Sequence, residues 1–396
     1  MTEFNDSNEP IVVHKYGGSS VADSEGMRRV AKRIVTARES GKRVVVVVSA
    51  MAQATDDLLL RAREVASAPS RRELDMLLSC GERASMALLA MAVHELGHEA
   101  VSLTGSQSGI MTNSRHSGAR IIEVRPIRVM DELDNGKIVI VAGFQGVSYK
   151  REITTLGRGG SDTTAVALAA ALGAESCEIC SDVDGIYSAD PRIVDDAKFI
   201  EALASDKMLE LAAHGAKVLH ASCVEIARRS DIRLYACATA KDDRGTRIAP
   251  IPPPDEAEIV GIAGQKGLVR LRATCRRDLL SAMATTEVEV LHFSSQPSSS
   301  ELWFSLANVP DWTALRGKLV QGPMDQELGI SEGLGAVSIV GEGLGSDLAR
   351  IAALLDTAQR AAVEVLGISS SPLRITLYCE EDKVDLLVQE LHRTFV

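Results

Sequence analysis

Ile11-Val12-Val13-His14-Lys15-Tyr16-Gly17-Gly18-Ser19-Ser20 is the stretch on which the reading of the fold turns. An apolar run closes on one cation and a pair of glycines. Glycines at a strand end let backbone N–H groups approach an anion closely. Val44 to Val48 is a pure valine run ending in Ser49-Ala50, the composition of a strand buried on both faces of a parallel sheet. Outward from these, strands are expected at 100–103, 137–143, 176–181 and 232–236. Helical patterns lie between them, at 26–40, 57–66, 74–96, 162–172 and 204–211. That alternation predicts an α/β sandwich with ligands at the carboxyl ends of its strands.

A second glycine-rich stretch, Thr155-Leu156-Gly157-Arg158-Gly159-Gly160-Ser161-Asp162-Thr163-Thr164, opens an alanine-rich helical run. It too supplies one cation, Arg158, and Asp162 can order either a metal or Lys15. The chemistry suggested is the handling of a polyphosphate beside a second anionic ligand.

A chain of 396 residues is long enough for two or more domains, each with its own core. Aromatic residues are only 3%, so that core is aliphatic. A net charge of −11, with no basic block, argues against nucleic acid or an anionic membrane as partner. The first ten residues are polar and acidic, unlike a secretory signal. Seven scattered cysteines form no disulfide framework. A cytoplasmic location is expected.

A proline-rich segment, 248–258, reads as a stiff linker after a first domain of 1–247. Beyond it the chain repeats itself. Val288-Glu289-Val290-Leu291 returns as Val363-Glu364-Val365-Leu366, and Ser298-Ser299-Ser300-Glu301-Leu302 as Ser369-Ser370-Ser371-Pro372-Leu373. Val260-Gly261-Ile262-Ala263-Gly264 matches Val337-Ser338-Ile339-Val340-Gly341. Two small α+β modules, 259–330 and 331–396, are expected, with a role in regulation or assembly.

Three motifs read as something plainer than their patterns. Cys177 and Cys180 stand three apart in a strand, on opposite faces, and read as small buried hydrophobes. His94-Glu95-Leu96-Gly97-His98 matches a zinc-protease pattern, but Gly97 belongs at a helix C-cap, which puts His98 past the helix end. Gly341-Glu342-Gly343-Leu344-Gly345 has Ser346 where a dinucleotide loop wants glycine, and reads as a tight strand-to-helix turn. No P-loop, protein-kinase signature or Ser/His/Asp arrangement is present. That suits a substrate carboxylate as nucleophile, since a group of pKa about 4 needs no general base at neutral pH.

The motifs together resemble aspartokinase. The resemblance is carried by Lys15 to Ser20, the valine run into Ser49-Ala50-Met51, Leu78-Ser79-Cys80-Gly81-Glu82, Gly143-Phe144-Gln145-Gly146 and Thr155 to Thr164. Ser181-Asp182-Val183-Asp184-Gly185-Ile186-Tyr187 through Arg192, Met208 to Leu211 and Gly215 to His220 extend it, over roughly 10–245. It implies an amino-acid-kinase-type αβα sandwich followed by a pair of ACT-like modules. It also implies transfer of the γ-phosphoryl group of ATP, with Mg²⁺, to L-aspartate, giving 4-phospho-L-aspartate. That is the first step toward lysine, threonine, methionine and diaminopimelate. By the resemblance Lys15 and Asp162 are catalytic. Ser49, Thr55, Glu82, Arg158, Gly159, Gly160 and Ser161 bind substrate. Lys15, Tyr16, Gly17, Gly18, Ser181, Asp182, Tyr187, Arg192, Lys217 and Val218 bind nucleotide, and no residue is assigned as a dedicated metal ligand.

The chain departs from the family where Ala52 and Ala54 replace a glycine and a threonine, and where Ala221-Ser222 replace Pro-Arg. Its ACT-like loops, Gln265-Lys266-Gly267-Leu268 with Thr286 to Glu289, and Ser346-Asp347-Leu348 with Ala362 to Val365, lack the usual effector-binding glycine and asparagine. Feedback inhibition by lysine or threonine is therefore not simply carried over, an amino-acid effector at the ACT-like pair stays open, and a homodimer or higher homo-oligomer is expected. The alternatives are a kinase for another carboxylate substrate (glutamate or acetylglutamate) or for UMP, and a non-catalytic regulatory chain.

Overall fold

The computed structural model describes residues 9–240, 244–251, 258–274, 276–284, 288–309, 311–320 and 328–396. The chain divides into two compact units. One holds 1–186, 199–209 and 217–256, the other 187–198, 210–216 and 257–396.

The first unit is built on an eight-stranded sheet. In spatial order its strands are Ala202–Ala204, Gly245–Ala249, Arg233–Ala238, Ser176–Ser181, Ile11–Tyr16, Arg43–Val48, Ile138–Ala142 and Ala100–Leu103. From Arg233–Ala238 to Ala100–Leu103 every neighbouring pair is parallel. Their carboxyl ends therefore line one edge, with Tyr16 level with Val48 and Cys180. Val44 to Val48 are all fully buried, as a strand covered on both faces requires. The helices Ser24–Glu39 and Arg71–His94 cover one face, and Gly160–Leu172 and Ala221–Arg229 the other. A four-stranded sheet, in the order Ile121–Val124, Ile110–Thr112, Gln145–Ser148 and Ile153–Thr155, stands beside this sandwich. Nothing in the hydrophobic pattern announces it, because its strands are only three or four residues long.

Among the described residues, Arg71–His94 is the one helix long and apolar enough to cross a membrane, and half of that stretch is buried in the fold. Its inward side carries Asp75, Ser79, Glu82 and Ser85 as well as Leu89 and Val93, which marks it as a core helix. It ends at His94. Gly97 follows at φ +82°, His94 Nε2 contacts the backbone of Ala100, and His98 faces Glu39, so the two imidazoles share no face.

The second unit carries one six-stranded antiparallel sheet, ordered Val290–Gln296, Ser299–Ser305, Ile259–Ala273, Leu328–Gly341, Arg374–Glu380 and Gly367–Ser371. Each half has its own apolar core. Leu271, Leu279, Leu302, Phe304 and Leu319 form one, and Ile339, Leu354, Ile375, Leu387 and Leu391 the other. The two central strands run through both halves, so a boundary at 330/331 falls inside Leu328–Gly341. The segments matched as repeats, 260–264 and 337–341, are antiparallel partners, with Ile262 opposite Ile339. The related positions are instead Leu271 and Ile339, opposite Leu302 and Ile375 in their own halves. Gln265 to Leu268 is no loop but an irregularity inside a strand, with Gly267 at φ +72°. Thr286 and Glu287 lie outside the described residues, as do Pro252 to Asp255 of the expected linker. Ile248 and Ala249 belong to the last strand of the first unit's sheet.

Candidate active site

Side chains alternate along a strand, so Lys15 and its neighbours His14 and Tyr16 leave Ile11–Tyr16 on opposite faces. Lys15 is the penultimate residue of that strand and only 9% exposed. A buried ammonium needs a partner, and Asp162 provides it, with Nζ and Oδ1 2.6 Å apart. Asp162 lies in the first turn of the helix Gly160–Leu172, where a carboxylate also complements the helix dipole.

The turn after Lys15 is packed against a second turn. Ser49 N–H donates to Tyr16 O and Ala52 N–H to Gly18 O, each at 3.1 Å. A Cβ on Gly18 would stand 2.6 Å from Ala50 O, so only glycine fits there. Gly17 N–H donates to Cys180 O at 3.2 Å and is not available to a ligand. Gly18 N–H makes no hydrogen bond among the described residues, so of the two glycines it is the one free to meet an anion.

Gly159 caps the helix at φ +68°, and a Cβ there would overlap the His220 ring at 2.3 Å. A Cβ on Gly160 would stand 2.9 Å from both Phe144 and Leu156, and Ser161 abuts Gly143. Arg158, on the turn before this helix, is exposed and makes no ion pair among the described residues.

Glu82 comes from the opposite layer, on Arg71–His94, and is 3% exposed. Its Oε1 accepts from Ala50 N–H at 3.1 Å, and its Oε2 is buried without a hydrogen-bond partner. Burial raises its carboxyl to about pKa 7, against the pull of its backbone hydrogen bonds. A buried carboxylate with one oxygen unsatisfied is a receptor for a cation. Lys15 and Glu82 thus reach the same carboxyl edge of the sheet from its two faces.

Tyr16 is fully buried with its hydroxyl 3.4 Å from His14 Nδ1, so its ring cannot contact a nucleotide at the turn. Tyr187 and Arg192 belong to the second unit, where Arg192 forks onto Asp190 at 2.6 and 2.9 Å. Ser181 receives Val183 N–H at 3.1 Å, while Asp182 and Lys217 are exposed and Val218 is half-buried. Ser49 and Thr55 are half-buried, Thr55 in the first turn of Ala54–Val65.

One supporting residue escaped the sequence reading. Asp75 is fully buried and accepts from Thr155 Oγ1 at 2.7 Å and Ser117 N–H at 3.0 Å, with His116 Nδ1 at 2.7 Å. It anchors the strand from which the Leu156 to Gly160 turn departs. The signal was there: Asp75 and Glu82 stand seven apart on the apolar side of one helix.

The amino acid kinase family matches residues 10–237. An aspartokinase of Mycolicibacterium smegmatis is 44% identical, over 97% of this chain and 96% of its own length. Among solved structures, E. coli aspartokinase III in complex with aspartate and ADP superposes with a TM-score of 0.87 at 24% identity, over 97% of this chain and 99% of that one. The same enzyme in complex with lysine and aspartate gives 0.74 at 25% identity, over the same shares. With a buried Lys–Asp pair at the carboxyl edge of a parallel sheet and near-complete coverage by its relatives, the chain belongs to the aspartokinase family of ATP-dependent kinases.

Proposed function

We infer that the chain transfers the γ-phosphoryl group of ATP to the β-carboxylate of L-aspartate, and that the residues at the carboxyl edge divide this work by charge. The observation that carries the reading is the buried orphan oxygen of Glu82, level with the Lys15 turn. Glu82 receives the substrate's α-ammonium, and the exposed fork of Arg158 its α-carboxylate. This leaves the β-carboxylate, ionised at neutral pH, as nucleophile. Its oxygen bonds to the γ-phosphorus as the bond to the β,γ-bridging oxygen breaks, and ADP leaves with that electron pair. No proton is moved, so the protein's task is alignment and neutralisation of charge. Lys15, held by Asp162, faces the transferring phosphate, and Gly18 N–H lies beside it. Ser49, Thr55 and the Gly159 to Ser161 turn line the substrate side, with Ser181, Asp182, Lys217 and Val218 on the nucleotide side.

Mg²⁺ is held in such sites by one or two carboxylates together with substrate phosphates and water. Asp162, a carboxylate beside the phosphate-facing lysine, fits that mode, and the ion would neutralise the β,γ-oxygens. The reading places the enzyme in the cytoplasm, at the head of lysine, threonine, methionine and diaminopimelate synthesis. The second unit is an ACT-like pair that assembles at least a homodimer. Lysine is bound by E. coli aspartokinase III; here the departures of sequence at Gln265 to Leu268, Thr286 to Glu289, Ser346 to Leu348 and Ala362 to Val365 lead us to expect weak or absent inhibition by lysine or threonine alone.

Release of ADP, measured with aspartate, glutamate, acetylglutamate and UMP in turn, tests the reading. Turnover with aspartate alone is expected. Preference for another acceptor, or no turnover with any, overturns it.

A further inference from the structure

Behind the site, on the face of Ile11–Tyr16 opposite Lys15, lies a buried polar cluster that phosphoryl transfer does not use. Cys180 and Cys237 are its centre. They are directly paired on the neighbouring parallel strands Ser176–Ser181 and Arg233–Ala238, so both side chains leave the sheet on one side. Their sulfurs are 3.5 Å apart. Arg33, from the covering helix, brings Nη2 within 3.4 Å of Cys237 Sγ and 3.3 Å of a Glu178 carboxylate oxygen. Glu178, Cys180 and Cys237 are close enough to share a metal ion. The guanidinium already supplies the positive charge between Glu178 and Cys237, which leaves a cation nothing to neutralise.

We infer that Cys180 and Cys237 are a reversible dithiol/disulfide pair, oxidised by a hydroperoxide, whose closure disturbs the phosphate turn. Directly paired residues on neighbouring strands stand about 4.8 Å apart, inside the roughly 4.4–6.8 Å that a disulfide tolerates between Cα atoms. The two sulfurs have to close from 3.5 Å to about 2.0 Å. The thiols are not equivalent. The hydrogen bond from Cys180 favours the Cys237 thiolate, burial opposes it and Arg33 supports it, whereas the same hydrogen bond and burial push Cys180 up. Cys237, 8% exposed against 0% for Cys180, is also the one a small oxidant reaches first.

The chemistry balances in two steps. The Cys237 thiol gives its proton to water, and the thiolate attacks the peroxide oxygen. The O–O bond breaks, the leaving oxygen takes that proton back from water, and a sulfenic acid and the alcohol (water from hydrogen peroxide) result. Cys180 then attacks that sulfur and displaces its hydroxyl as water, with the Cys180 proton. Two thiols are oxidised and one hydroperoxide is reduced.

The link to the turn is short. Cys180 O accepts from Gly17 N–H, and Ser181 O from Thr239 N–H at 2.8 Å. Thr239 Oγ1 in turn lies 2.6 Å from Ser20 Oγ, on the turn itself. Pulling the two strand ends together moves both anchors of the Lys15 to Ser20 turn.

The test treats the reduced full chain with hydrogen peroxide, then alkylates it under denaturing conditions and maps its peptides. The expected product joins the Cys180 and Cys237 peptides, lighter by two hydrogen atoms, and is reversed by dithiothreitol. Since misplacement by about 1 Å can cost about 10²-fold, kcat/KM for ATP should fall at least about tenfold on oxidation and return on reduction. Cys237→Ser should form no cross-link and keep its activity in peroxide. Exposed Cys80 is the internal control. Peroxide that consumes Cys80 while Cys180 and Cys237 stay fully alkylatable overturns the pair. Loss of activity in Cys237→Ser equal to that of the wild type, or a cross-link without effect on ATP kinetics, overturns the link to the turn. The effect on ATP rests on the kinase reading; the cross-link, read by mass, does not.

Discussion

The two faces of the strand Ile11–Tyr16 carry polar groups of opposite kinds. On one, Lys15 keeps an ion pair with Asp162 at the edge where the sheet opens. On the other, His14 and Tyr16 sit in the core, where burial lowers the imidazole and raises the phenol, so both stay neutral. One strand thus holds charge only where a ligand can meet it, and spends its inward polar groups on structure. If this division is right, mutations on the two faces should part activity from stability.

The largest effect should come from Lys15→Ala. Removing one preorganised charge at a transferring phosphate costs about 3–4 kcal/mol, or about 10²–10³ in kcat. The fold should stay intact, although stability falls as well, because the Asp162 carboxylate loses its buried partner. Retention of more than about half of the wild-type kcat would put the phosphate elsewhere.

Glu82 sharpens the comparison, because it is a charged group buried for a ligand's sake. Its carboxyl titrates near 7 rather than 4.5. The folded protein therefore binds a proton more tightly than the unfolded one. The stability this gives is complete below about pH 4.5 and is lost as pH rises through about 7. That shift corresponds to about 3 kcal/mol as an upper bound. Glu82→Gln should accordingly match the wild type at pH 4 and be more stable at pH 8, by denaturant unfolding without substrate. In the wild type, kcat/KM for aspartate should fall as pH drops below about 7, since only the ionised form holds the ammonium. A flat profile between pH 6 and 8 would free Glu82 from that role.

His14→Ala probes the other face, and its effect should be the reverse of that at Lys15. It removes a buried ring packed at 6.2 Å on Tyr16 and facing Glu178 at 3.7 Å. A loss of about 2 kcal/mol in stability is expected, with kcat close to that of the wild type. A large fall in kcat at unchanged stability would erase the distinction between the faces.

How much of this was legible in sequence follows the same division. Lys15 and Asp162 stand in glycine-rich runs whose backbone demands are local, so the pattern of neighbours announces them. The strands of the large sheet were legible for a similar reason, since burial on both faces writes an unbroken apolar run such as Val44 to Val48. Cys180 was not legible as half of a pair. Its pattern pointed to Cys177, three residues away and on the other face, while its partner Cys237 lies 57 positions on, brought alongside only by strand order. Asp75 was missed because its acceptor role is defined by Thr155 and Ser117, eighty and forty-two residues away. The exchange of strands between the halves of the second sheet is invisible to a repeat search, because antiparallel partners across a pseudo-twofold resemble each other as much as true equivalents do.

The smallest effect tests the turn on which both faces converge. Ala52 has φ +44°, in the left-handed region, where the resembled family has glycine. A Cβ in that region costs roughly 1–2 kcal/mol. Ala52→Gly relieves it, but glycine gives back about 0.5–1 kcal/mol in chain entropy. The balance favours glycine by zero to about 1.5 kcal/mol. Ala52 is exposed, so no packing is lost. Its N–H bonds Gly18 O, so relaxation here acts on the free N–H at Gly18. A small gain in stability should therefore come with a lower KM for ATP and an unchanged kcat. Destabilisation by Ala52→Gly would mean that chain entropy outweighs backbone strain at this turn, and that the departure from glycine makes the turn stiffer.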